Sequence, residues 1–171
     1  MLKVIAKSMS RNAKVEIDSF VPISIVLSNH LQNPFYWRAK FENDSLLEIG
    51  INPKTGELAT LTLIMIDRKM KKNYDFDRLQ IIANSTEGIP VVAIDQWPSV
   101  ADKYQDFFLD EETPIKLLLG SKIAQVDFED QSKIKKWYFT ENVFFGINQE
   151  NYLSAFRISN LSPSEILTLK E

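Results

Sequence analysis

Apolar and polar residues alternate with a period of two through many short segments of this chain. The segments are rich in β-branched and aromatic residues and end at Gly, Pro, Asn or Asp, which is typical of β-strands. They cover residues 2–6, 14–18, 21–27, 35–41, 46–51, 57–66, 79–83, 90–94, 115–119, 122–128, 134–139, 142–147 and 152–158. The pattern predicts a mainly β fold, an antiparallel sheet or sandwich with a few short helices. A strongly curved single sheet around one helix is the alternative.

Two predicted hairpins share one sequence pattern. The first covers residues 46–66, and its turn contains Gly56, which can adopt the left-handed conformation that such loops require. The second covers residues 143–158. Gly50-Ile51-Asn52 in the first hairpin matches Gly146-Ile147-Asn148 in the second. The match indicates either two related halves or two independent solutions to the same hairpin problem, because period-two patterns converge easily.

Two segments have helical patterns. The C-terminal segment begins with Ser162-Pro163-Ser164-Glu165, which combines a capping box with Pro at the first helical position. The other follows Trp97-Pro98 and places its apolar residues on one stripe, as in a helix that lies on a sheet. These apolar residues are Val100, Ala101, Tyr104, Phe107 and Phe108. The opposite face and exit of this second helix are acidic, with Asp102, Asp106, Asp110, Glu111 and Glu112.

Length and composition restrict the class of protein. A chain of 171 residues that is 44% hydrophobic predicts one domain over residues 1–171 with one core. The formal net charge of −3 disfavours nucleic acid as a partner, so the basic runs near residues 68–72 and 133–136 are interpreted as solvated turns. The sequence shows neither a secretory signal nor a membrane span, which predicts a cytoplasmic protein.

Residues suited to catalysis are scarce. The chain has no Cys, its only histidine is His30, and its five glycines form no nucleotide-binding fingerprint. Two carboxylate pairs have strand spacing, Asp75 with Asp77 and Asp127 with Glu129, so each pair would share a sheet face and offer oxygen ligands to a hard cation. A solvated face beside a buried Phe produces the same spacing. We therefore predict no catalytic residue, metal or cofactor.

The three tryptophans are the residues best suited to anchor a protein partner if they are exposed. Trp37 and Trp137 lie in aromatic segments whose alternation divides the rings between two sheet faces, and Trp97 precedes Pro98. Large aromatic side chains are equally suited to a core. The sequence leaves both interpretations open.

Residues 47–58 and 152–162 resemble segments of small bacterial immunity proteins of polymorphic-toxin systems. The resemblance implies an inhibitor without catalytic activity that binds one cognate toxin domain and blocks its active site. The partner-binding patch predicted for such a protein is the acidic run that follows Trp97, because many toxins are nucleases with positive clefts. Its residues are Trp97, Asp102, Asp106, Asp110, Glu111 and Glu112.

Two further functions remain as alternatives. A small-molecule carrier would curl its strands around an apolar pocket lined by some of the aromatic side chains. An enzyme would depend on the carboxylate pairs, with displaced pKa values at clustered carboxylates as its signature. A flat charged surface without either feature favours the protein-binding module, which is our leading hypothesis.

Overall fold

The computed structural model describes residues 1–28, 32–42, 44–76, 85–98, 103–128 and 134–171. Within these ranges the chain is mainly β and ends in an eight-residue helix, α1 (Pro163–Lys170). Its strands are β1 (Val4–Ser8), β2 (Lys14–Ile17), β3 (Ile23–Val26), β4 (Phe35–Phe41), β5 (Ser45–Ile51), β6 (Leu58–Met65), β7 (Lys71–Asn73), β8 (Ser85–Glu87), β9 (Ile89–Val92), β10 (Phe108–Glu112), β11 (Lys116–Leu119), β12 (Ala124–Asp127), β13 (Ile134–Thr140), β14 (Val143–Asn148) and β15 (Leu153–Ile158). The predicted fold class is confirmed.

The first sheet has six strands in the spatial order β10-β4-β5-β6-β3-β2. Neighbouring strands within this sheet are antiparallel, except at one edge, where β10 lies parallel to β4. On β4, the side chains of Phe35, Trp37 and Ala39 are buried, whereas Arg38 and Lys40 alternate with them and are more exposed. One face of this sheet therefore forms core, and the other faces solvent.

The second sheet has seven strands in the order β7-β11-β12-β15-β14-β13-β8. Its five central strands are antiparallel, and the short strands β7 and β8 add to its two edges in parallel. All six residues of β15 are buried. The second sheet is therefore covered on both faces along this strand, unlike the first sheet.

The two sheets share one hydrophobic core. Buried side chains from both form a single cluster, and the rings of Trp37 and Phe128 connect the sheets at a centroid distance of 5.5 Å. Phe145 and Phe156 of the second sheet are fully buried in the same cluster. Burial of these large rings, together with the many Leu, Ile and Val side chains of the cluster, stabilises the fold, since the free energy gained grows with the apolar area removed from water.

The same strand layout occurs twice. In the first sheet, the β2–β3 hairpin is followed by the meander β4–β5–β6, and β6 returns to pair with β3. In the second sheet, β11–β12 is followed by β13–β14–β15, and β15 returns to β12. Both meanders shift register after the matched glycine, at Gly50 and at Gly146. The repeated hairpin pattern thus belongs to a repeat of five strands.

The predicted helix after Pro98 is wrong from Phe108 onward. Tyr104–Phe107 forms a short 3₁₀ helix, but Phe108–Glu112 is strand β10, while residues 99–102 lie outside the described ranges. Pairing with β4 over five residues outweighs the helical stripe, because tertiary contacts override weak local preferences. The predicted strand at 79–83 also lies outside the described ranges.

Candidate functional site

The predicted partner-binding residues do not form one acidic surface. Trp97 is buried, and its ring stacks on that of Phe35 at a centroid distance of 5.2 Å, so Trp97 is part of the core. Asp102 lies outside the described residues. Asp106 accepts a hydrogen bond from the backbone N–H of Lys103 at 2.9 Å and so caps the 3₁₀ helix. Trp97 is therefore not an exposed anchor for a partner.

Strand alternation divides the rest of the acidic run between two sides of β10. Asp110 and Glu112 lie on the outer face with Phe108, whereas Glu111 lies on the opposite side. The Glu111 carboxylate forms an ion pair with the amino group of Met1. The Asp110 carboxylate accepts a hydrogen bond from Arg38 Nε at 2.6 Å and also pairs with the ammonium group of Lys40. Neighbouring cations therefore balance much of the acidic charge.

Aromatic rings lie beside these charges on the outer face of the first sheet. Tyr104 is 82% exposed, and its ring centroid is 4.9 Å from that of Phe108. Phe108 stacks on Tyr36 at 5.2 Å, and the guanidinium of Arg38 lies 4.2 Å from the centroid of the Phe108 ring. We call this surface the aromatic-charged patch. It comprises Tyr36, Arg38, Lys40, Tyr104, Phe108, Asp110 and Glu112.

Electrostatics hold the patch in a mixed-charge state at neutral pH. Partial burial opposes ionisation of Asp110, but hydrogen bonds and positive charge from Arg38 and Lys40 prevail and lower the pKa of Asp110. Burial raises the pKa of Glu48, on the neighbouring strand, and the positive charge of Arg38 offsets part of the effect. Burial also raises the pKa of Tyr36, and the negative charge of Glu48 adds to the rise. The patch thus combines aromatic surface, cations and a carboxylate held ionised.

A second group of polar side chains is buried on the second sheet. The Arg157 side chain is only 2% exposed and lies between Phe76 and Trp137, 4.8 Å from each ring centroid. Its Nε donates a hydrogen bond to Gln125 Oε1 at 2.6 Å, and Gln125 Nε2 donates to Asp127 Oδ1 at 2.8 Å. The alternating pattern did not reveal this network, because a lone arginine in a strand usually faces solvent. The available signal was the apolar and small residues around it on β15.

The remaining candidate residues lie in the core, on the exposed surface or outside the described ranges. Trp37 and Trp137 are buried, like Trp97. In the carboxylate pairs, Asp127 is buried in the network just described and Asp75 is exposed, whereas Asp77, Glu129 and the single His30 fall outside the described residues. Among the residues that the structure places, no three His, Cys, Asp or Glu side chains come together as a metal site would require. The carboxylate pairs therefore gain no support as a metal or acid–base centre.

The fold and the patch define a mainly β protein in which the outer face of the first sheet carries exposed aromatic and charged groups. A scan against models of known protein families finds no match, and a search of curated proteins finds no relative. In the part of the chain that the structure describes, no helix is both long and apolar enough to cross a membrane.

Proposed function

We propose that this chain is a protein-binding module without catalytic activity, and that the aromatic-charged patch is its binding surface. The observation that carries the proposal is the exposed ring of Tyr104 packed against Phe108, with Arg38 over the same ring. Tyr and Arg are enriched among the residues that contribute most to binding energy at protein interfaces. An aromatic centre surrounded by charges matches the usual anatomy of such interfaces.

The side chains of the patch are already held in place in the unbound protein, which favours binding. The aromatic rings are stacked and Arg38 is held between Phe108 and Asp110, so a partner would immobilise few side chains that are free in the unbound protein. Ordering free side chains costs affinity, and a preorganised surface avoids part of that cost. Strand β10 holds Phe108 and Asp110 on the paired sheet beside β4, and Tyr104 lies in the 3₁₀ helix that leads into β10.

The partner we propose is a bacterial toxin domain that the chain neutralises in the cytoplasm by covering its active site. The resemblance of residues 47–58 and 152–162 to immunity proteins supports this class of partner. The mixed charge of the patch changes the chemistry expected of the toxin surface. We expect an apolar pocket that receives Tyr104, bordered by carboxylates near Arg38 and by a cation near Glu112, rather than a uniformly positive cleft.

The decisive experiment compares two exposed aromatic residues. The tagged chain is used to capture its partner, and the affinity for the purified partner is measured for wild type, Tyr104→Ala and Phe20→Ala. Phe20 is 89% exposed and lies in the turn before β3, outside the patch. Tyr104→Ala should weaken binding by about tenfold or more, mainly through faster dissociation, and Phe20→Ala should leave it unchanged. Equal affinities for all three proteins would reject the patch as the binding surface.

A growth assay then tests the class of partner. The captured protein, expressed without this chain, should arrest bacterial growth, and co-expression of wild type should restore it. Tyr104→Ala should restore growth less well than wild type at equal expression. A captured partner that is harmless when expressed by itself would reject the immunity function but leave the protein-binding module intact.

A further inference from the structure

A cavity of about 510 Å³ lies where the start of β7 meets the end of α1. Four cationic residues line it, and the remaining lining residues are Asn73, Leu119 and Glu171. The four cations are Arg68, Lys71, Lys72 and Lys170. Three of them come from the basic run at residues 68–72, whose sequence pattern is typical of a solvated turn. The fold instead gathers them into a concave surface and adds a fourth cation from α1.

Local structure holds the basic run in place. The side chain of Asp67 accepts a hydrogen bond from the backbone N–H of Lys69 at 2.9 Å and caps a 3₁₀ turn over Arg68–Met70. Lys71 and Lys72 then enter β7, which pairs in parallel with β11. The backbone N–H of Tyr74 continues this attachment by donating to the carbonyl of Leu119 at 2.9 Å. The cations are therefore carried by a paired strand and a capped turn.

Among the residues that the structure describes, none of the four cations forms a salt bridge. Every salt bridge among the described residues lies elsewhere in the molecule. Burial lowers the pKa of Lys71, and the positive charge of Arg68 lowers it further. The Glu171 side chain and the negative end of α1 offset part of this positive charge, and Asp75 lines the neighbouring depression, so four cationic residues stand against two side-chain carboxylates. An anion in the cavity would relieve the remaining repulsion.

A neighbouring cavity of about 370 Å³ extends this site. It shares Asn73, Leu119 and Lys170 with the first and adds further polar groups, together with the ring of Tyr74, which is 40% exposed. The added lining residues are Tyr74, Asp75, Gly120 and Ser121. The combined groove, which we call the basic groove, has a cationic end and an end with an aromatic ring. The groove is open to solvent, so a small molecule bound in it would stay partly exposed.

We propose that the basic groove binds a small phosphate-bearing molecule, with the phosphate held by Arg68, Lys71, Lys72 and Lys170. Charge-assisted hydrogen bonds from Lys and Arg to phosphate oxygens are among the strongest in proteins, and a diphosphate offers enough oxygens for all four side chains. The groove shares no residue with the aromatic-charged patch, so this proposal is independent of the proposed protein partner.

The test uses the full chain and pyrophosphate as the probe. Binding is measured by titration calorimetry and thermal shift, with sodium chloride at the same ionic strength as the reference. Wild type is compared with Lys71→Gln/Lys72→Gln and with Lys54→Gln/Lys135→Gln, a control that removes two exposed lysines elsewhere and has the same net charge. Far-UV circular dichroism checks that each variant folds. If the Lys71→Gln/Lys72→Gln variant does not fold, the Arg68→Gln/Lys170→Gln variant replaces it, because the side chains of Arg68 and Lys170 are both exposed.

We expect pyrophosphate to bind wild type and the control with equal affinity. Its affinity for the Lys71→Gln/Lys72→Gln variant, the groove variant, should be lower by about tenfold or more. Pyrophosphate should also raise the melting temperature more than sodium chloride at equal ionic strength. Equal binding to the groove variant and the control would overturn the proposal, because general charge would then explain the effect. A melting temperature unaffected by pyrophosphate, with no heat of binding, would overturn it as well.

Discussion

Arg157 illustrates how neighbouring side chains accommodate a charge that strand β15 buries. Burial lowers the pKa of Arg157 to about 10, while the negative charge of Asp127 opposes that change. The faces of Phe76 and Trp137 contact the planar guanidinium, and Gln125 accepts from its Nε. One nitrogen, Nη1, is buried without a hydrogen-bond partner, which is energetically costly. The rings and Gln125 therefore supply the interactions that keep this side chain inside.

Arg157→Ala should lower the free energy of unfolding by about 2–4 kcal/mol, because the Gln125 carbonyl oxygen loses its buried donor and both rings lose a packing partner. Urea denaturation measures the change. Arg157→Lys should recover only part of the loss, since an ammonium group cannot lie flat between two rings. Arg68→Ala, which removes an exposed arginine, is the matched control. A loss of less than about 1 kcal/mol for Arg157→Ala would contradict the structural role assigned to Arg157.

Glu48 should make stability depend on pH in the opposite sense from a salt-bridged carboxylate. Burial raises the pKa of Glu48 above its ordinary value of 4.5, so the folded chain binds this proton more tightly than the unfolded chain. This contribution to stability is present below pH 4.5 and is lost as pH rises through the pKa of the folded state. Glu48→Gln should therefore raise the free energy of unfolding at pH 7 by up to about 1 kcal/mol. The difference should vanish below pH 4.5.

Urea denaturation at pH 4 and pH 7 checks this expectation, with the exposed residue Glu150 changed to Gln as the control. A Glu48→Gln variant that is less stable than wild type at pH 7 would show that attraction to Arg38 outweighs burial at this position.

At the scale of elements, turns and caps were the features most readily predicted from local sequence. The hairpin at 46–66 forms β5 and β6, and Gly56 has the expected left-handed conformation with φ +73°. Helix α1 begins with the predicted capping box of Ser162 and Glu165. Strand β10 is the contrasting case, since Phe108 ends the apolar stripe of the predicted helix, yet Phe108–Glu112 pairs with β4 as a strand.

Gly56→Ala should lower the free energy of unfolding by about 1–3 kcal/mol. Alanine is strained at a positive φ, and its methyl group would collide with the carbonyl oxygen of Val92, which belongs to β9. Thermal or urea denaturation gives the change, and Lys54→Ala in the same turn is the control because Lys54 is exposed. Two variants of equal stability would show that the turn relaxes without cost.

At the scale of the whole molecule, the repeated halves are connected reciprocally. Strand β1 precedes the first sheet in sequence but attaches to the second sheet, at the turn between β14 and β15. There the backbone N–H of Leu153 donates to the carbonyl of Leu2, and the backbone N–H of Val4 donates to the carbonyl of Asn151. Strand β9 precedes the core strands β11–β15 of the second sheet in sequence but attaches to the first sheet. The backbone N–H of Val92 donates to the carbonyl of Gly56, in the turn before β6. Strands β1 and β9, each of which contacts the sheet of the other half, also pair with each other in antiparallel orientation. This exchange and the shared core connect both sheets in one structure.

We therefore expect the halves to unfold together. Urea transitions followed by tryptophan fluorescence and by far-UV circular dichroism should coincide, and amide hydrogens of β5 and β14 should exchange with similar free energies of opening. Hydrogen exchange measured by mass spectrometry resolves the two sheets separately. A free energy of opening that differs by several kcal/mol between β5 and β14 would instead indicate two units that unfold independently.

The sequence by itself determined the fold class, most strand positions, both hairpins and the terminal helix, because each follows from alternation, turn residues or capping within a few neighbouring residues. Only the tertiary structure decided which charges are paired and which surfaces stay open. The acidic run became a mixed patch because β10 brought Asp110 beside Arg38, a residue far away in sequence. The basic run became a groove because α1 returned Lys170 to it. Such contacts depend on long-range strand pairing, which local patterns do not encode.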